Sequence, residues 1–314
     1  MFREASIPVY RKALLIYNPE AGRLKAGGCR LVEQVLQILS RAGLTMTAQP
    51  TQAPGAAGEL ARKSVAAGAD LIVAFGGDGT INEVSEGLIG SPVPLGFLPG
   101  GTANVLCREL GIGDSPRRAA ARLTDWRPER IATGMASCDA TAPRHFLAMA
   151  GIGLDAHIVY RMSAELKKKW GKLAYWIGGF SQIVRELEEF DVEIDGQDHR
   201  CSFALVTKVR NYGGDLQIAR NVSILDDEFE IVLFAGKQST RYLKYLTGVA
   251  VNQLAGMDGV TILRARKARF SAAVDERVYM QIDGEYAGRL PGQVEIAPEA
   301  LTILIPAEYA GRKA

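Results

Sequence analysis

Short apolar runs alternate with amphipathic stretches from Lys12 to about Leu123: "KALLIY" then residues 25–42, "LTMTAQ" then 56–67, "DLIVAF" then 80–89, "PLGFLP" then 102–110. Strands alternating with helices predict a parallel sheet covered on both faces. Beyond Trp126 the texture changes. "ERIATGMASC", "HFLAMAGIG", "FDVEIDG", "CSFALVTKV", "FEIVLFAG", "VTILRARKARFSA", "RVYMQIDGE" and "LTILIP" read as strands, interrupted by helical stretches near 155–188 and 239–254. Mostly consecutive strands predict an antiparallel, sandwich-like domain with helical insertions. The expected fold class is therefore α/β, a parallel-sheet domain followed by a β-sandwich-like one. The boundary falls at 126/127, giving domains of 1–126 and 127–305, with a tail of 306–314 packing back on the first.

Composition narrows the class without naming a chemistry. At 314 residues the chain is long enough to bury about 75% of its unfolded surface, and 47% apolar with 23% charged residues is ordinary globular usage. No segment approaches the ~20 apolar residues of a membrane span, and the N-terminal residues lack the pattern of a signal peptide. Lys plus Arg number 37 against 35 Asp plus Glu, so no net field draws the chain to nucleic acid. Four cysteines without a CxxC pair, and three histidines without ligand spacing, suggest neither zinc nor a disulfide framework. These features predict a soluble, cytoplasmic protein.

"LIVAFGGDGTINEV", residues 71–84, joins a buried strand to a helix through Gly76, Gly77, Asp78 and Gly79, with Thr80 at the helix start. Such a junction presents unpaired N–H groups and a positive dipole end, which suit a phosphate; a tight turn alone is the alternative. Residues 94–110, "PLGFLPGGTANVLCREL", repeat the grammar with Gly100, Gly101 and Thr102, then Asn104, and "IYNPEAG" adds Asn18 and Gly22 after the first strand. Neither a Walker A sequence nor GxGxxG is present.

"GGDGTINEV" followed by "LPGGTANVLCREL", with "NPEAG" upstream and "GIGLDA", "GGDLQIA" and "QIDGEY" downstream, resembles the diacylglycerol kinase catalytic-domain family, in particular its soluble bacterial lipid kinases. The resemblance implies a nucleotide-binding α/β domain, a β-sandwich domain, and ATP in the cleft between them. It implies ATP contacts at Asn18, Gly76, Gly77, Asp78, Gly79, Thr80, Asn82, Glu83, Gly100, Gly101 and Thr102, with Thr51 a further contact or a helix cap. Asp78 would hold a catalytic Mg²⁺ directly or through water. In "QIDGEY", Glu285 is the first choice for the base that accepts the proton of the attacking hydroxyl, and Asp283 for metal or base support. Read as a bare sequence, Asp-Gly between strands is also a hairpin turn.

In similar proteins an Asp-Gly pair in the sandwich domain binds a second magnesium. Here Asp226 stands at the acid and Asp227 where glycine is usual, so the site would use the Asp226 side chain with carbonyls from Ser223 and Glu228. Residues 165–187 join lysines to Trp170, Tyr175, Trp176 and Phe180, a mixture suited to a bilayer surface or to helix packing. The expected activity is ATP- and Mg²⁺-dependent phosphoryl transfer to a lipid hydroxyl, diacylglycerol first, at the inner membrane surface. A sphingoid-base or other lipid-alcohol kinase, NAD kinase and a non-catalytic nucleotide-binding regulator are the alternatives. The oligomeric state stays open, a homodimer being one option.

Overall fold

The computed structural model describes residues 10–138, 141–153, 187–212, 216–237, 244–245, 248–249, 253–273 and 277–311. In chain order the elements are β1 (Ala13–Tyr17), α1 (Gly22–Arg41), β2 (Met46–Pro50), α2 (Ala56–Ala66), β3 (Leu71–Gly76), α3 (Asp78–Leu88), β4 (Leu95–Pro99), α4 (Val105–Glu109), α5 (Pro116–Arg122) and β5 (Arg127–Cys138). Then follow β6 (Arg144–Phe146), β7 (Met149–Gly153), β8 (Phe190–Ile194), β9 (Gln197–Cys201), β10 (Phe203–Thr207), β11 (Asn211–Tyr212) and β12 (Leu216–Gln217). The chain closes with β13 (Phe229–Phe234), β14 (Val260–Ala265), β15 (Lys267–Ser271), β16 (Tyr279–Ile282), β17 (Glu285–Arg289), β18 (Gly292–Ile305) and a last short helix, α6 (Ala307–Ala310).

The chain divides into two compact units, Met1–Ala132 with Pro298–Lys313, and Thr133–Ala297. The expected boundary at 126/127 falls at the start of β5, whereas the units part at 132/133, inside that strand. Residues 298–305, expected in the second domain, group with the first because the apolar "LTILI" end of β18 lies parallel to β4, with Ile303 opposite Leu95. The tail follows it. Tyr309 Oη donates to Glu109 Oε1 at 2.9 Å inside the unit, and Arg122 pairs with Glu308 at 2.7 Å.

In the first unit the strand order is β2-β1-β3-β4-β18, and every described pair is parallel. β3 and β4 are buried at every position, which is why they read as continuous apolar runs rather than as alternations. α1 packs with α5 and α2 with α3. The strand order reverses between β1 and β3, and the register sets Tyr17 opposite Phe75 and Gly76 opposite Pro99. The loops after these three strands therefore leave the same edge of the sheet at a topological switch point, where open α/β sheets take their ligands.

The second unit holds a six-stranded antiparallel sheet, ordered β14-β13-β10-β7-β16-β17. A second set pairs β15 with β8 and with residues 292–295 of β18, and β8 with β9. One core joins them: Ile152, Val206, Ile231 and Met280 from the first meet Phe190, Val192, Phe270 and Val294 from the second. Alternate residues of each strand point inward, as a sandwich requires.

Three departures from the sequence reading have local causes. "HFLAMAGIG" is two strands, because the N–H groups of Leu147 and Ala148 turn away to a carboxylate. "VTILRARKARFSA" splits at Arg266 into β14 and β15, which belong to different sheets. β9, "QDHRC", is a mostly exposed edge strand whose polar sequence carries no strand signal. The expected helical stretch near 155–188, with the aromatic-basic segment around Trp170, lies almost wholly outside the described residues; of the one near 239–254, residues 244–245 and 248–249 are described and helical. Among the described residues no helix is long and apolar enough to cross a membrane.

Candidate active site

The two glycine junctions of the first unit are stitched to each other. Gly100 N and Gly101 N both donate to the carbonyl of Gly76, at 2.7 and 3.1 Å. A Cβ at Gly101 would lie 2.5 Å from Gly77 Cα, and one at Gly100 would lie 2.9 Å from Gly76 Cα. None of these four glycines has a positive φ. Their small size serves backbone-to-backbone packing, and the amides of Gly100 and Gly101, expected to meet ATP, are already engaged within the protein. The N–H groups that remain for an anion are those of the first turn of α3, at Gly79 and Thr80, which have no intrahelical acceptor. Gly101→Ala is expected to wedge the loops apart and cost about 1–3 kcal/mol; an unchanged thermal unfolding midpoint would show that the loops yield freely.

Asp78 ties the first junction to the second. Helix α3 begins at Asp78, two residues before the expected start, so this carboxylate sits in its first turn. Its Oδ1 accepts from Val105 N at 2.7 Å, at the opening of α4. Burial raises the Asp78 pKa above the usual carboxylate value, while backbone N–H groups of Val105, Leu106 and Asn104 oppose the rise. Asn104, fully buried and at φ 48°, holds the second junction closed: its Oδ1 accepts from Gly101 N at 2.9 Å and its Nδ2 donates to Gly101 O at 3.0 Å. Asn tolerates the left-handed region better than most residues. The sequence reading gave Asn104 no role in the site, although its type and its place at a helix start were the signal.

The other expected nucleotide contacts gather round the same edge. Asn18 Nδ2 donates to Thr80 Oγ1 at 3.3 Å, and Asn18 N to Phe75 O at 3.1 Å, joining the ends of β1 and β3. Arg23 N bonds Gly100 O at 2.9 Å, and an added Cβ at Gly22 would stand 3.5 Å from Thr102 Oγ1, so the start of α1 packs on the second junction. Thr102 is exposed. Thr51 N bonds Tyr17 O at 2.8 Å, and the cap of α2 is Gly55, so Thr51 is not a helix cap. Glu83 Oε2 accepts from Ala57 N at 3.2 Å, anchoring the first turn of α2. Asn82 is only 7% exposed, and its Oδ1 meets no donor among the described residues. An orphaned buried acceptor has a cost.

In the second unit "QIDGEY" is a β-hairpin. Ile282 pairs with Glu285 across the two-residue turn Asp283-Gly284, with φ of 48° and 85°, the signs of a type I′ turn. The hairpin reading of Asp-Gly is the one the backbone follows, with β17 as its second strand. The two acids have different surroundings. Asp283 accepts three backbone N–H groups, Leu147 at 2.8 Å on Oδ2 and Ala148 and Met149 at 2.9 Å on Oδ1, and its own N–H donates to Met149 O. Glu285 projects from the start of β17, with Oε2 at 3.0 Å from Arg144 Nη2 and its side chain 46% exposed. Tyr286, 41% exposed, follows it on the strand, with its ring edge-on to that of Tyr279.

The turn expected to hold a second metal is closed by protein groups. Asp226 Oδ2 accepts from Ser223 N at 3.0 Å and from Arg264 Nη2 at 2.8 Å, while Ser223 O accepts from Asp226 N at 2.9 Å. Asp227 has no positive φ, so its position places no demand for glycine. Glu228 Oε2 pairs with Arg264 Nε at 3.1 Å. No cluster of three or more His, Cys, Asp or Glu suited to a metal occurs among the described residues.

Residues 12–136 match the diacylglycerol kinase catalytic domain, and residues 148–305 match the YegS C-terminal NAD kinase beta sandwich-like domain. The chain belongs to the diacylglycerol kinase catalytic-domain family. Within it, the protein named diacylglycerol kinase of Bacillus subtilis (strain 168) is 29% identical over 307 residues, covering 96% of this chain and 98% of its own. The protein of that name from Staphylococcus saprophyticus is 25% identical over 302 residues, with 94% and 96% covered. A crystal structure from Bacillus anthracis str. Sterne shares the fold with a TM-score of 0.80, at 24% identity, over 98% of this chain and 100% of that one. The kinase family accounts for both halves in order: glycine junctions in the first match, the DGE hairpin in the second.

Proposed function

We propose that this kinase-family chain transfers the γ-phosphoryl group of ATP, with Mg²⁺, to the hydroxyl of diacylglycerol, giving phosphatidic acid and ADP. The observation that carries the reading is the stitched pair of glycine junctions at the switch point of a parallel sheet, opening on the first turn of α3. Asn18, Thr80 and Thr102 offer polar atoms around it. The unpartnered Asn82 Oδ1 supports the presence of a hydrogen-bonding ligand at this edge.

A single carboxylate, Asp78, suits Mg²⁺, which keeps its waters and binds through one or two carboxylates plus substrate phosphates. When bound, the ion would neutralise charge on the phosphates. Asp78 orients the junction through Val105 N in either case. On the acceptor side, Glu285 takes the proton of the lipid hydroxyl as its oxygen attacks the γ-phosphorus and the bond to the leaving ADP breaks. Arg144 orients Glu285, and Asp283 fixes the hairpin that carries it. The protein would meet that acceptor at the inner membrane surface, from the cytoplasm.

Radiolabelled transfer from ATP with Mg²⁺ to mixed micelles of diacylglycerol, monoacylglycerol, sphingosine or ceramide, with NAD as a soluble control, tests this directly. Labelled phosphatidic acid is the expected result. The sandwich match described as NAD kinase-like makes NAD the informative control: label in NAD alone would reject a lipid acceptor, and label in sphingosine alone would move the assignment to sphingoid bases.

A further inference from the structure

The turn at residues 223–228 already carries the positive charge that a divalent ion would bring. Arg264, on β14, spreads one guanidinium over three acceptors: Nη2 on Asp226 Oδ2 at 2.8 Å, Nε on Glu228 Oε2 at 3.1 Å, and Nη1 on the carbonyl of Asn221. From inside the sandwich unit, Lys208 donates its Nζ to the carbonyl of Asp226. Lys208 is fully buried, directly after β10. Burial lowers its pKa to about 8, against the opposing pull of Asp227 and Asp226, so below that pH its ammonium adds a positive charge just under the turn.

The coordination expected from the resemblance needs the Asp226 side chain with the Ser223 and Glu228 carbonyls. Asp226 Oδ2 is shared by Ser223 N and Arg264, and Ser223 O is bonded to Asp226 N. A divalent ion would have to displace the guanidinium while sitting against a buried ammonium, and like charges at such distances repel strongly away from water. The residues present do not fit the metal. A planar guanidinium, by contrast, suits two carboxylates and a carbonyl at once, since its five donors are fixed in a fork.

We propose that Arg264 and Lys208 stand in for the structural divalent ion of this turn, so that the sandwich unit is held by its own cations and binds no Mg²⁺ there. The metal demand of the protein is then confined to nucleotide transfer. This inference goes beyond the kinase reading and does not depend on it, because its readout is unfolding of the nucleotide-free protein.

The test uses the full chain, stripped with a chelator and dialysed. Its thermal unfolding midpoint is measured with chelator, with millimolar MgCl₂ and with millimolar CaCl₂, all without nucleotide. The expected result is the same midpoint in all three, and no stoichiometric divalent metal by elemental analysis. An increase with Mg²⁺ or Ca²⁺ that Asp226→Asn abolishes would overturn the proposal; an increase that survives Asp226→Asn arises outside the turn and leaves it standing. Arg264→Gln is expected to lower the midpoint in chelator, with Arg264→Lys intermediate because one ammonium replaces a three-way fork. Arg264→Gln with the wild-type midpoint would overturn it. Should Arg264→Gln fail to fold, Arg264→Lys carries the comparison: a lowered midpoint supports the proposal and a wild-type one refutes it.

Discussion

Glu285→Gln is expected to lower kcat for phosphoryl transfer by about 10²–10⁴-fold, the range typical of a lost general base, while ATP affinity and the unfolding midpoint hold. The amide keeps the size of the side chain and a carbonyl oxygen for Arg144, and it removes only the capacity to take a proton. Stability is not at stake. The Glu285–Arg144 pair is half exposed, 46% and 38% by side chain, and such pairs contribute about 0–1 kcal/mol. The same weakness makes the pair exchangeable, so an acceptor hydroxyl can compete for the carboxylate. Equilibrium ATP binding measured beside initial rates decides the case. A drop in rate matched by an equal loss of ATP affinity, with the fold intact, would show that Glu285 does not act as the base.

The first unit was legible because its strands are buried on both faces and its helices are regular. "DLIVAF" and "PLGFLP" could read only as covered strands, and glycines at their ends marked the edge where a ligand belongs. What the glycines do there was not legible. Gly77 and Gly101 touch each other across 20-odd residues of sequence, and only the folded structure shows the amides of Gly100 and Gly101 bonded to Gly76 O rather than open to a phosphate. Asn104 was hidden for a related reason, since its role rests on a left-handed backbone and a bond back to Gly101.

Less of the second unit could be read, because its decisive contacts join distant segments. The motif "DGE" carried both a turn signal and two acids, and the sequence offered no way to divide the labour between them. In the sequence, Arg264 and Lys208 were only members of "VTILRARKARFSA" and "CSFALVTKV", both read as strands. Their meeting at Asp226 depends on the pairing of β13 with β14 and on the packing under β10. Charge composition alone does not reveal an internal cation.

Asp283→Ala is expected to lower stability by about 2–4 kcal/mol and to remove transfer with it. Hydrogen bonds to a charged group contribute about 1.5–3 kcal/mol each, and three converge here on a carboxylate that is partly exposed, which keeps the sum below simple addition. Alanine also pays for the left-handed φ of 48°, about 1–2 kcal/mol. Asp283→Asn separates the two costs. It keeps the backbone preference and an oxygen for Ala148 and Met149, and it turns a second donor toward Leu147 N, so its loss should be smaller than that of alanine. Calorimetric unfolding of both variants, read beside their transfer rates, distinguishes anchor from catalyst. If Asp283 anchors the hairpin, activity falls in step with the midpoint from asparagine to alanine. If asparagine keeps the wild-type midpoint and loses transfer outright, Asp283 acts in the chemistry, and the division of labour drawn here between the two acids is wrong.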